Sequence, residues 1–562
     1  MAVDRSETRW NGWGWNEQLD ELSHNDRVWE WIASELNVGA LLVTPAVPIE
    51  EVELPAPRLA SEMLNALAEV VGEAWVKVSR QERASHARGK SYHDLLYLRA
   101  GDLANTTPDA VVYPGNPLET LELIQRCADR NIAVVPTGGG TSVVGGVNAS
   151  PGESHDGVIV LNTTRMSRVL TIDEEAMTAV VEAGVYGPDL EEQLAEKGFT
   201  LGHYPQSFQF STLGGWIAAR GAGQQSTKYG KAESWLVCAK LATPKGFWTT
   251  ECFPASAAGP DLNDLVLGSE GTIGVITEAT VKIQRVPEAK DYRGYLFGDF
   301  TSGVAAAREI IQARLPVAMV RLSDENETHF FRAFSDAQKP NSFLRRIKKT
   351  LESWYLKSKG VSQKPCLMIV GIEGRNANVE GVSKVTAAIA KKHKALAIGP
   401  SAGKRWFEGR FHGPYARDPM LDHGLGVDTL ETATRWSNIL HLQDAMIPAI
   451  EGAIREGLPN HGARGIVMGH ISHTYTDGAS LYYTFVFPRD LENDVRQWLA
   501  IKKAATETIV EHGGTISHHH GIGTDHTAWM VEEKGPIGLG ILKAVKDEMD
   551  ETGIMNPGKL IP

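Results

Sequence analysis

A glycine-rich segment directly after a predicted strand is the feature that most constrains the fold of this chain. Residues 132–137 predict a strand, and glycines at 138, 139 and 140 follow it, with Thr141 and Ser142 next. Glycines lack a Cβ, so backbone N–H groups can approach an anion closely, and neighbouring hydroxyls add hydrogen-bond donors. The segment matches neither the dinucleotide fingerprint GxGxxG nor the phosphate loop that ends in Gly-Lys-Ser/Thr. It therefore predicts a pyrophosphate cradle and disfavours NAD and ATP.

Two later segments repeat this combination of glycine and hydroxyl residues. Residues 211–216 read STLGGW, and residues 268–277 read GSEGTIGVIT. Each lies beside an apolar stretch that is typical of a strand or helix. Three such loops can enclose one long polar cofactor.

The order of predicted elements indicates an α+β protein with several domains. A chain of 562 residues exceeds one ordinary core. From about residue 108, the segments DAVVYP and IAVVPT predict strands on either side of a helix at LETLELIQRCADRN. A different composition begins near residue 287. We expect an amino-terminal helical arm at 1–103, a cofactor domain at 104–287, a cap (substrate) domain at 288–500 and a carboxyl-terminal segment at 501–562 that returns to the cofactor.

Composition and charge exclude several classes of function. No stretch approaches the roughly 20 apolar residues of a membrane span, and the first residues lack the features of a secretory signal. We therefore expect a cytoplasmic protein. The net charge of -13 makes nucleic acid an unexpected partner. The four cysteines, Cys127, Cys238, Cys252 and Cys366, form no CxxC pair, so they are expected to be core thiols rather than zinc ligands or disulfides.

The three loops, together with PDAVVYPGN at 108–116, resemble the FAD-binding domain of the vanillyl-alcohol oxidase and p-cresol methylhydroxylase (PCMH-type) family. The resemblance implies a PCMH-type FAD-binding domain of two α/β subdomains with an α+β cap domain. Some relatives attach FAD through a histidine at the end of the first loop. Thr141 stands there, so non-covalent FAD is expected. The implied cofactor-binding residues are Pro136, Thr137, Gly138, Gly139, Gly140, Thr141, Ser142, Ser207, Ser211, Thr212, Gly214, Gly215, Glu270, Gly271, Thr272, Ile273, Gly274 and Ile276.

Further segments resemble the alkyldihydroxyacetonephosphate synthase family from about residue 9 to residue 558. They include RWNGWGW at 9–15, TDGASLY at 476–482, SHHHGIG at 517–523 and GIMNPGKL at 553–560. The resemblance implies an FAD-dependent transferase of ether lipid synthesis. Such an enzyme exchanges the acyl chain of acyl-dihydroxyacetonephosphate for a long-chain alcohol through a flavin N5 adduct. A homodimer is one expected assembly.

The same resemblance implies the catalytic residues. Tyr482 matches the family's catalytic tyrosine, with Tyr483 as the alternative if the alignment is displaced by one residue. Nearby cations are expected to lower its pKa. His470 stands where animal members carry an active-site arginine. The expected catalytic set is Tyr482, His518, His519, His520, Arg321 and His470, and no metal ligand set is predicted.

Other interpretations remain open at the level of sequence. The Gly469-His470 pair is also typical of FAD-linked dehydrogenases and oxidases of D-2-hydroxy acids such as D-lactate, although their GDGNLH segment is absent. A third hypothesis is that the protein is a lipid-binding module that retains an inactive flavin fold. Residues 343–359 predict a basic amphipathic helix, which would either contact a membrane surface peripherally or pack on its own domain.

Overall fold

The computed structural model describes residues 7–17, 25–152, 154–338, 364–458, 460 and 462–562. Helices and strands alternate in some regions and segregate in others, which confirms the α+β class. The predicted amphipathic helix at 343–359 lies outside the described residues. No helix in the described ranges is long and apolar enough to cross a membrane. The boundaries expected after residues 103, 287 and 500 stay a prediction.

The amino-terminal region is mostly helical. Its helices are α1 (Asp26–Glu35), α2 (Ser61–Val71), α3 (Arg80–Ser85) and α4 (Tyr92–Ala100). A capping box begins α4, because Ser91 and Asp94 bond each other's backbone N–H groups through their side chains. Gly101 ends the helix at a φ of 71°, a conformation that glycine adopts without a steric penalty.

The first sheet is mainly parallel and carries the glycine-rich loop at its edge. Its elements are β1 (Val76–Lys77), β2 (Ala110–Val112), α5 (Pro117–Ala128), β3 (Ile132–Thr137) and β4 (Gly157–Asn162). The spatial order is β1-β2-β4-β3, with β4 parallel to both of its neighbours and β1 antiparallel to β2. The predicted strand–helix–strand unit is therefore present, with β4 inserted between its two strands.

The second sheet is antiparallel and supplies the other two glycine loops. Its strands have the order β5-β6-β10-β8-β9. The elements of this region are β5 (Val169–Asp173), β6 (Thr178–Glu182), α6 (Gly187–Ala195), β7 (Phe199–Thr200), α7 (Leu213–Ala218), α8 (Ser226–Tyr229), α9 (Ala232–Trp235), β8 (Leu236–Thr243), β9 (Gly246–Thr249), α10 (Asn263–Val266), β10 (Val275–Lys282) and β11 (Gln284–Arg285).

The third sheet is antiparallel, with seven described strands in the order β15-β12-β14-β13-β17-β18-β16. Its strands are β12 (Ala289–Phe297), β13 (Val317–Ser323), β14 (Cys366–Gly374), β15 (Leu396–Gly399), β16 (Leu425–Arg435), β17 (Ile466–Thr474) and β18 (Gly478–Pro488). Its helices are α11 (Phe300–Gln312), α12 (Glu325–Ala337), α13 (Asn376–Lys392), α14 (Pro400–Gly409), α15 (Arg417–Asp422), α16 (Ile439–Glu456) and α17 (Asp494–Glu511). Side chains alternate between faces along a strand, so Tyr482 faces the cavity described below while Tyr483 joins the core.

The carboxyl-terminal segment returns to the first sheet. After helix α18 (Met530–Met549), the chain runs beside β3, where Asn556 N–H donates to the Val134 carbonyl at 2.8 Å. The end of the chain is therefore held next to the glycine-rich loop.

One prediction about the cysteines is wrong. Cys238 and Cys252 form a disulfide, whereas Cys127 and Cys366 are buried free thiols as expected. The β8–β9 hairpin turns the chain back on itself, so two cysteines 14 residues apart become neighbours. A search for closely spaced cysteine pairs does not detect this geometry.

Candidate active site

One cavity of about 1740 Å³ receives side chains from all three sheets. The glycine loops line one region of it, and strands of the seven-stranded third sheet, called the cap sheet below, line another. Trp13 of the amino-terminal arm also lines it. Residues distant in sequence therefore surround a single volume.

The glycine loops approach one another too closely for any other residue. A Cβ on Gly139 would lie 1.6 Å from the Phe210 carbonyl oxygen, and one on Gly138 would lie 2.1 Å from Thr212 Oγ1. Gly271 adopts a φ of +75°, and a Cβ there would lie 2.9 Å from Pro136. The first loop consequently packs directly on both later loops.

The loops leave hydrogen-bonding capacity at the cavity. Within the part of the chain that the structure describes, the buried hydroxyl of Thr137, which lines the cavity, has no hydrogen-bond partner. Buried hydroxyls without partners are costly unless a ligand or water satisfies them. This region of the cavity therefore fits a polar, phosphate-bearing cofactor such as FAD.

Most of the residues predicted to bind the cofactor line the cavity. They are Pro136, Thr137, Gly138, Thr141, Ser142, Ser207, Ser211, Gly214, Gly215, Glu270, Gly271, Gly274 and Ile276. Five others lie behind the lining and pack the loops together: Gly139, Gly140, Thr212, Thr272 and Ile273.

Glu270 connects the third glycine loop to the carboxyl-terminal segment. Its carboxylate accepts the backbone N–H groups of Ile522 and Gly523, the latter at 2.7 Å. Asn556 donates its side-chain amide to the backbone carbonyls of Gly146 and Glu270, at 3.0 and 2.5 Å. Burial raises the pKa of Glu270 to about 7, and the two backbone donors limit that rise. This carboxyl group can therefore exchange a proton near neutral pH.

A buried carboxylate holds the histidine run. Glu431 accepts the backbone N–H groups of His518, His519 and His520 at 2.6, 2.9 and 2.8 Å. His519 and His520 line the cavity, whereas His518 lies behind them. Burial lowers the pKa of all three imidazoles, so they are neutral at physiological pH.

Tyr482 lies at the centre of the polar residues. Its ring stacks on His470 with 5.0 Å between centroids, and the rings of His519 and His520 lie at 6.2 and 5.8 Å. Burial raises its pKa, and the smaller opposing effects of a Thr429 hydrogen bond and the Arg417 charge do not reverse this. The expectation that cations would lower this pKa is therefore wrong. Tyr482 is a protonated phenol at neutral pH.

Arg321 and His470 form one unit with Glu327, which the sequence analysis did not identify. Arg321 Nη1 lies 2.8 Å from His470 Nε2, and Nη2 lies 3.0 Å from Glu327 Oε1. The same oxygen lies 2.9 Å from His470 Nδ1. Burial alone would raise the pKa of Glu327, but Arg321 and His470 lower it to about 2. Glu327 therefore remains a carboxylate and fixes the orientation of both groups.

A second arginine in the cavity was also missed. Arg417 begins α15, lines the cavity and is buried. Its guanidinium lies 3.2 Å from Thr429 Oγ1 and 3.4 Å from Asp428 Oδ1. The surrounding segment, PYARDPM, contains neither a glycine loop nor a histidine run. The sequence around Arg417 therefore does not indicate that this residue lies in the cavity.

A second part of the cavity lining is apolar. Side chains from α12, α15 and the cap sheet line it, namely Met319, Phe330, Phe334, Leu367, Ile369, Met420, Val427, Met468 and Val486. The cavity thus joins a polar region to a region that suits a hydrocarbon chain.

Comparisons with known proteins agree with this geometry. Residues 108–250 match the model of an FAD binding domain, and residues 286–560 match the C-terminal domain of FAD linked oxidases. FAD is therefore the cofactor of this protein.

Two related proteins and one solved structure match nearly the whole chain. An alkyldihydroxyacetonephosphate synthase of Trypanosoma brucei brucei is 34% identical over 99% of this chain and 92% of its own. The Dictyostelium discoideum synthase is 35% identical over 92% of this chain and 84% of its own. A solved structure of an alkyldihydroxyacetonephosphate synthase superimposes with a TM-score of 0.83 and is 32% identical, covering 99% of this chain and 100% of that one. The chain belongs to the alkyldihydroxyacetonephosphate synthase family.

Proposed function

We propose that this protein exchanges the acyl chain of acyl-dihydroxyacetonephosphate for a long-chain alcohol and thereby forms the ether bond of an ether lipid. The observation that best supports this function is the position of Tyr482. It stacks on His470, which binds Arg321, and it bonds Thr429, which binds Arg417. A proton-transfer group between two arginines, with an apolar region in the same cavity, suits a phosphorylated lipid.

FAD is proposed to bind without a covalent bond to the protein. The first glycine loop would hold the pyrophosphate, and the loops at 211–216 and 268–277 would hold the adenosine and flavin. Thr141 at the end of the first loop supports non-covalent binding. When bound in these loops, FAD would supply a flavin ring that can react covalently with the substrate through N5.

Tyr482 and the histidines are proposed to move protons at the dihydroxyacetone carbon and at the alcohol. A positioned acid or base of this kind must lie within hydrogen-bonding reach of the atom it serves. Tyr482 begins protonated and can donate, whereas neutral His519 and His520 can accept. These three residues therefore divide the acid and base roles.

Arg321 and Arg417 are proposed to bind the substrate phosphate. Guanidinium groups recognise phosphate through two parallel hydrogen bonds. Where animal relatives have an arginine, this chain has His470. Arg417, supplied by another segment, can provide the second positive charge.

The apolar region of the cavity is proposed to hold the acyl or alkyl chain. Segment 343–359 remains a proposed peripheral membrane contact through which such chains would be collected, and it lies outside the described residues. A cytoplasmic homodimer is the proposed working form.

An anaerobic titration tests the proposal. Purified protein is mixed with acyl-dihydroxyacetonephosphate while the visible flavin band is followed, and a long-chain alcohol is then added. Bleaching that the alcohol reverses, with formation of the alkyl product, supports the proposal. No response to this substrate, together with lasting bleaching by a D-2-hydroxy acid, would instead identify a dehydrogenase.

A further inference from the structure

A line of hydrogen bonds runs from the cavity through the histidine run to Tyr475, which borders a surface depression. His519 lines the cavity, and its Nδ1 lies 2.9 Å from Nδ1 of His518. Nε2 of His518 lies 2.5 Å from the Tyr475 hydroxyl. Three consecutive groups are thus within hydrogen-bonding distance.

The outer end of this line reaches a different part of the surface from the cavity. Tyr475 lines a shallow open depression together with the exposed residues Arg435, Ser437 and Asp477. It does not line the cavity that contains Tyr482. Tyr475 therefore lies between the buried histidines and this depression.

The chemistry of the three groups suits proton transfer. Burial keeps both imidazoles neutral, so each has one N–H donor and one acceptor nitrogen. Burial also raises the pKa of Tyr475, so its hydroxyl stays protonated and can accept one proton while it releases another. Each group can therefore accept a proton on one atom and release another proton, and it returns to a neutral state after each transfer.

The proposed reaction needs such an outlet, and this step rests on the function proposed above. The alcohol oxygen forms a bond to the dihydroxyacetone carbon, and the bond from that carbon to the acyloxy oxygen breaks. The fatty acid leaves with the electron pair as a carboxylate, because carboxyl groups ionise well below neutral pH. The alcohol's proton is therefore released once in every turnover.

We propose that His519, His518 and Tyr475 form a proton relay that carries the alcohol's proton from the cavity to the surface depression. His519 accepts the proton on its cavity side and passes its Nδ1 proton to His518. His518 passes its Nε2 proton to Tyr475, which releases its own to solvent. The transfer leaves both imidazoles in their other tautomers, and tautomer exchange without net proton movement restores them before the next turnover.

A metal ion is the competing use of these histidines. His473, His518 and His519 have nitrogen atoms close enough to share one, and His473 Nδ1 has no hydrogen-bond partner among the described residues. Two features favour the relay. The 2.9 Å contact between the two Nδ1 atoms is a hydrogen-bond distance that requires a proton on one of them. The buried ammonium of Lys231, which donates to the His518 carbonyl at 2.7 Å, also disfavours a second cation.

The Tyr475→Phe variant tests the relay in the FAD-loaded enzyme. We expect turnover to fall by roughly 100-fold, at the lower end of what a positioned proton-transfer group contributes, while KM and FAD content stay unchanged. The solvent deuterium isotope effect on turnover should increase. Added imidazole, which can enter through the surface depression, should restore part of the rate. Tyr295→Phe is the matched control, because Tyr295 is a buried cap-sheet tyrosine outside the cavity lining, and it should keep wild-type behaviour.

The outcomes separate this proposal from the proposed function. A wild-type rate and isotope effect in Tyr475→Phe would overturn the relay, as would a stoichiometric metal ion bound by His473, His518 and His519. If the wild-type enzyme fails to form alkyl product, the proposed function is wrong, and proton NMR then decides on the relay. A downfield imidazole N–H resonance that Tyr475→Phe shifts and Tyr295→Phe preserves would support it, and absence of that resonance from the wild-type protein would overturn it.

Discussion

The carboxylate of Glu431 accepts the backbone N–H of His520, with 2.8 Å between nitrogen and Oε1. The same side chain accepts the N–H groups of His518 and His519. One buried strand residue therefore sets the position of three consecutive imidazoles through their backbone N–H groups. The same carboxylate also lies 3.5 Å from His520 Nδ1 and 3.8 Å from His519 Nδ1.

Glu431→Gln should displace the histidine run without emptying the flavin site. The amide can replace only one carboxylate oxygen, so a buried N–H loses its acceptor, at a cost of about 1–3 kcal/mol of unfolding free energy. The urea concentration at the midpoint of unfolding and the turnover rate should both decrease, while FAD content is preserved. Glu533→Gln is the control, because Glu533 bonds Thr515 and Ile516 just before the run. Turnover equal to wild type in Glu431→Gln would contradict the conclusion that Glu431 positions the histidines for the reaction.

Tyr482→Phe should lower turnover by at least about 100-fold, since the proposed acid is removed. FAD should stay bound, because the hydroxyl contributes to none of the glycine loops. Tyr483→Phe discriminates between the two neighbouring tyrosines. The Tyr483 hydroxyl is buried without a partner among the described residues, so its loss should leave turnover intact. If steady-state turnover fell in Tyr483→Phe but not in Tyr482→Phe, the proposed acid would be Tyr483.

Gly139→Ala should prevent FAD binding. Its Cβ would lie 1.6 Å from the Phe210 carbonyl oxygen, so the backbone of the first loop must move. Overpacking of this kind costs about 1–3 kcal/mol and here also displaces the proposed pyrophosphate cradle. Flavin absorbance of the purified protein measures the loss. Gly381→Ala is the control, since a Cβ in the middle of α13 meets no atom within 4 Å. A yellow Gly139→Ala protein would refute the steric argument.

The glycine loops could be predicted from sequence because their requirement is local. A residue without Cβ beside hydroxyls indicates an anion cradle wherever the rest of the chain lies. Tyr482 was indicated only by the family resemblance, which left Tyr483 open. The alternation along β18 in the structure shows that Tyr482 is the one that faces the cavity.

Residues whose role depends on tertiary packing could not be predicted. Arg417 reaches the cavity only because α15 packs beside β16, and the sequence around it has no distinguishing pattern. Glu431 and Glu327 are single carboxylates within amphipathic elements, and their importance lies in buried contacts with distant residues. The Cys238–Cys252 disulfide likewise depends on a hairpin that brings the two strands together.

FAD affinity should decrease as pH rises from about 6 to about 8. Burial raises the pKa of Glu270 to about 7, so its carboxyl group is neutral below that pH and negative above it. A negative group beside the glycine loop would repel the pyrophosphate. Because the folded pKa exceeds the ordinary 4.5, stability from Glu270 is also present at acidic pH and lost as pH rises through about 7.

Glu270→Gln should remove most of this pH dependence. Flavin fluorescence on dilution measures the dissociation constant at each pH. Glu278→Gln is the control, because Glu278 of β10 forms a partly exposed ion pair with Lys240 of β8. A pH dependence in Glu270→Gln that equals the wild-type dependence would assign the effect to another group.

Asp418→Ala should release residues 9–13 from α15. Its Oδ2 accepts the Trp13 backbone N–H at 2.9 Å and binds Arg9 at 3.0 Å. A Cβ at Gly12 would lie 2.1 Å from this oxygen, so the arm fits against the carboxylate only with glycine there. Loss of the acceptor leaves a buried N–H unpaired, at a cost of about 1–3 kcal/mol. Because Trp13 lines the cavity, the KM for the long-chain alcohol should rise along with amide exchange over residues 9–13.

Asp418→Asn should have a smaller effect on amide exchange, because the amide oxygen can still accept the Trp13 N–H. Asp422→Ala provides the matched control at the end of the same helix. Its carboxylate pairs with Arg99 of α4 and is about half exposed, with a side-chain exposure of 44%, and it forms no hydrogen bond or ion pair with the described residues 9–13, so its removal should leave them in place. Exchange over residues 9–13 that rises equally in Asp418→Ala and Asp422→Ala would show a general loosening of α15. Exchange that rises only in Asp418→Ala would locate the attachment of the arm at this one carboxylate.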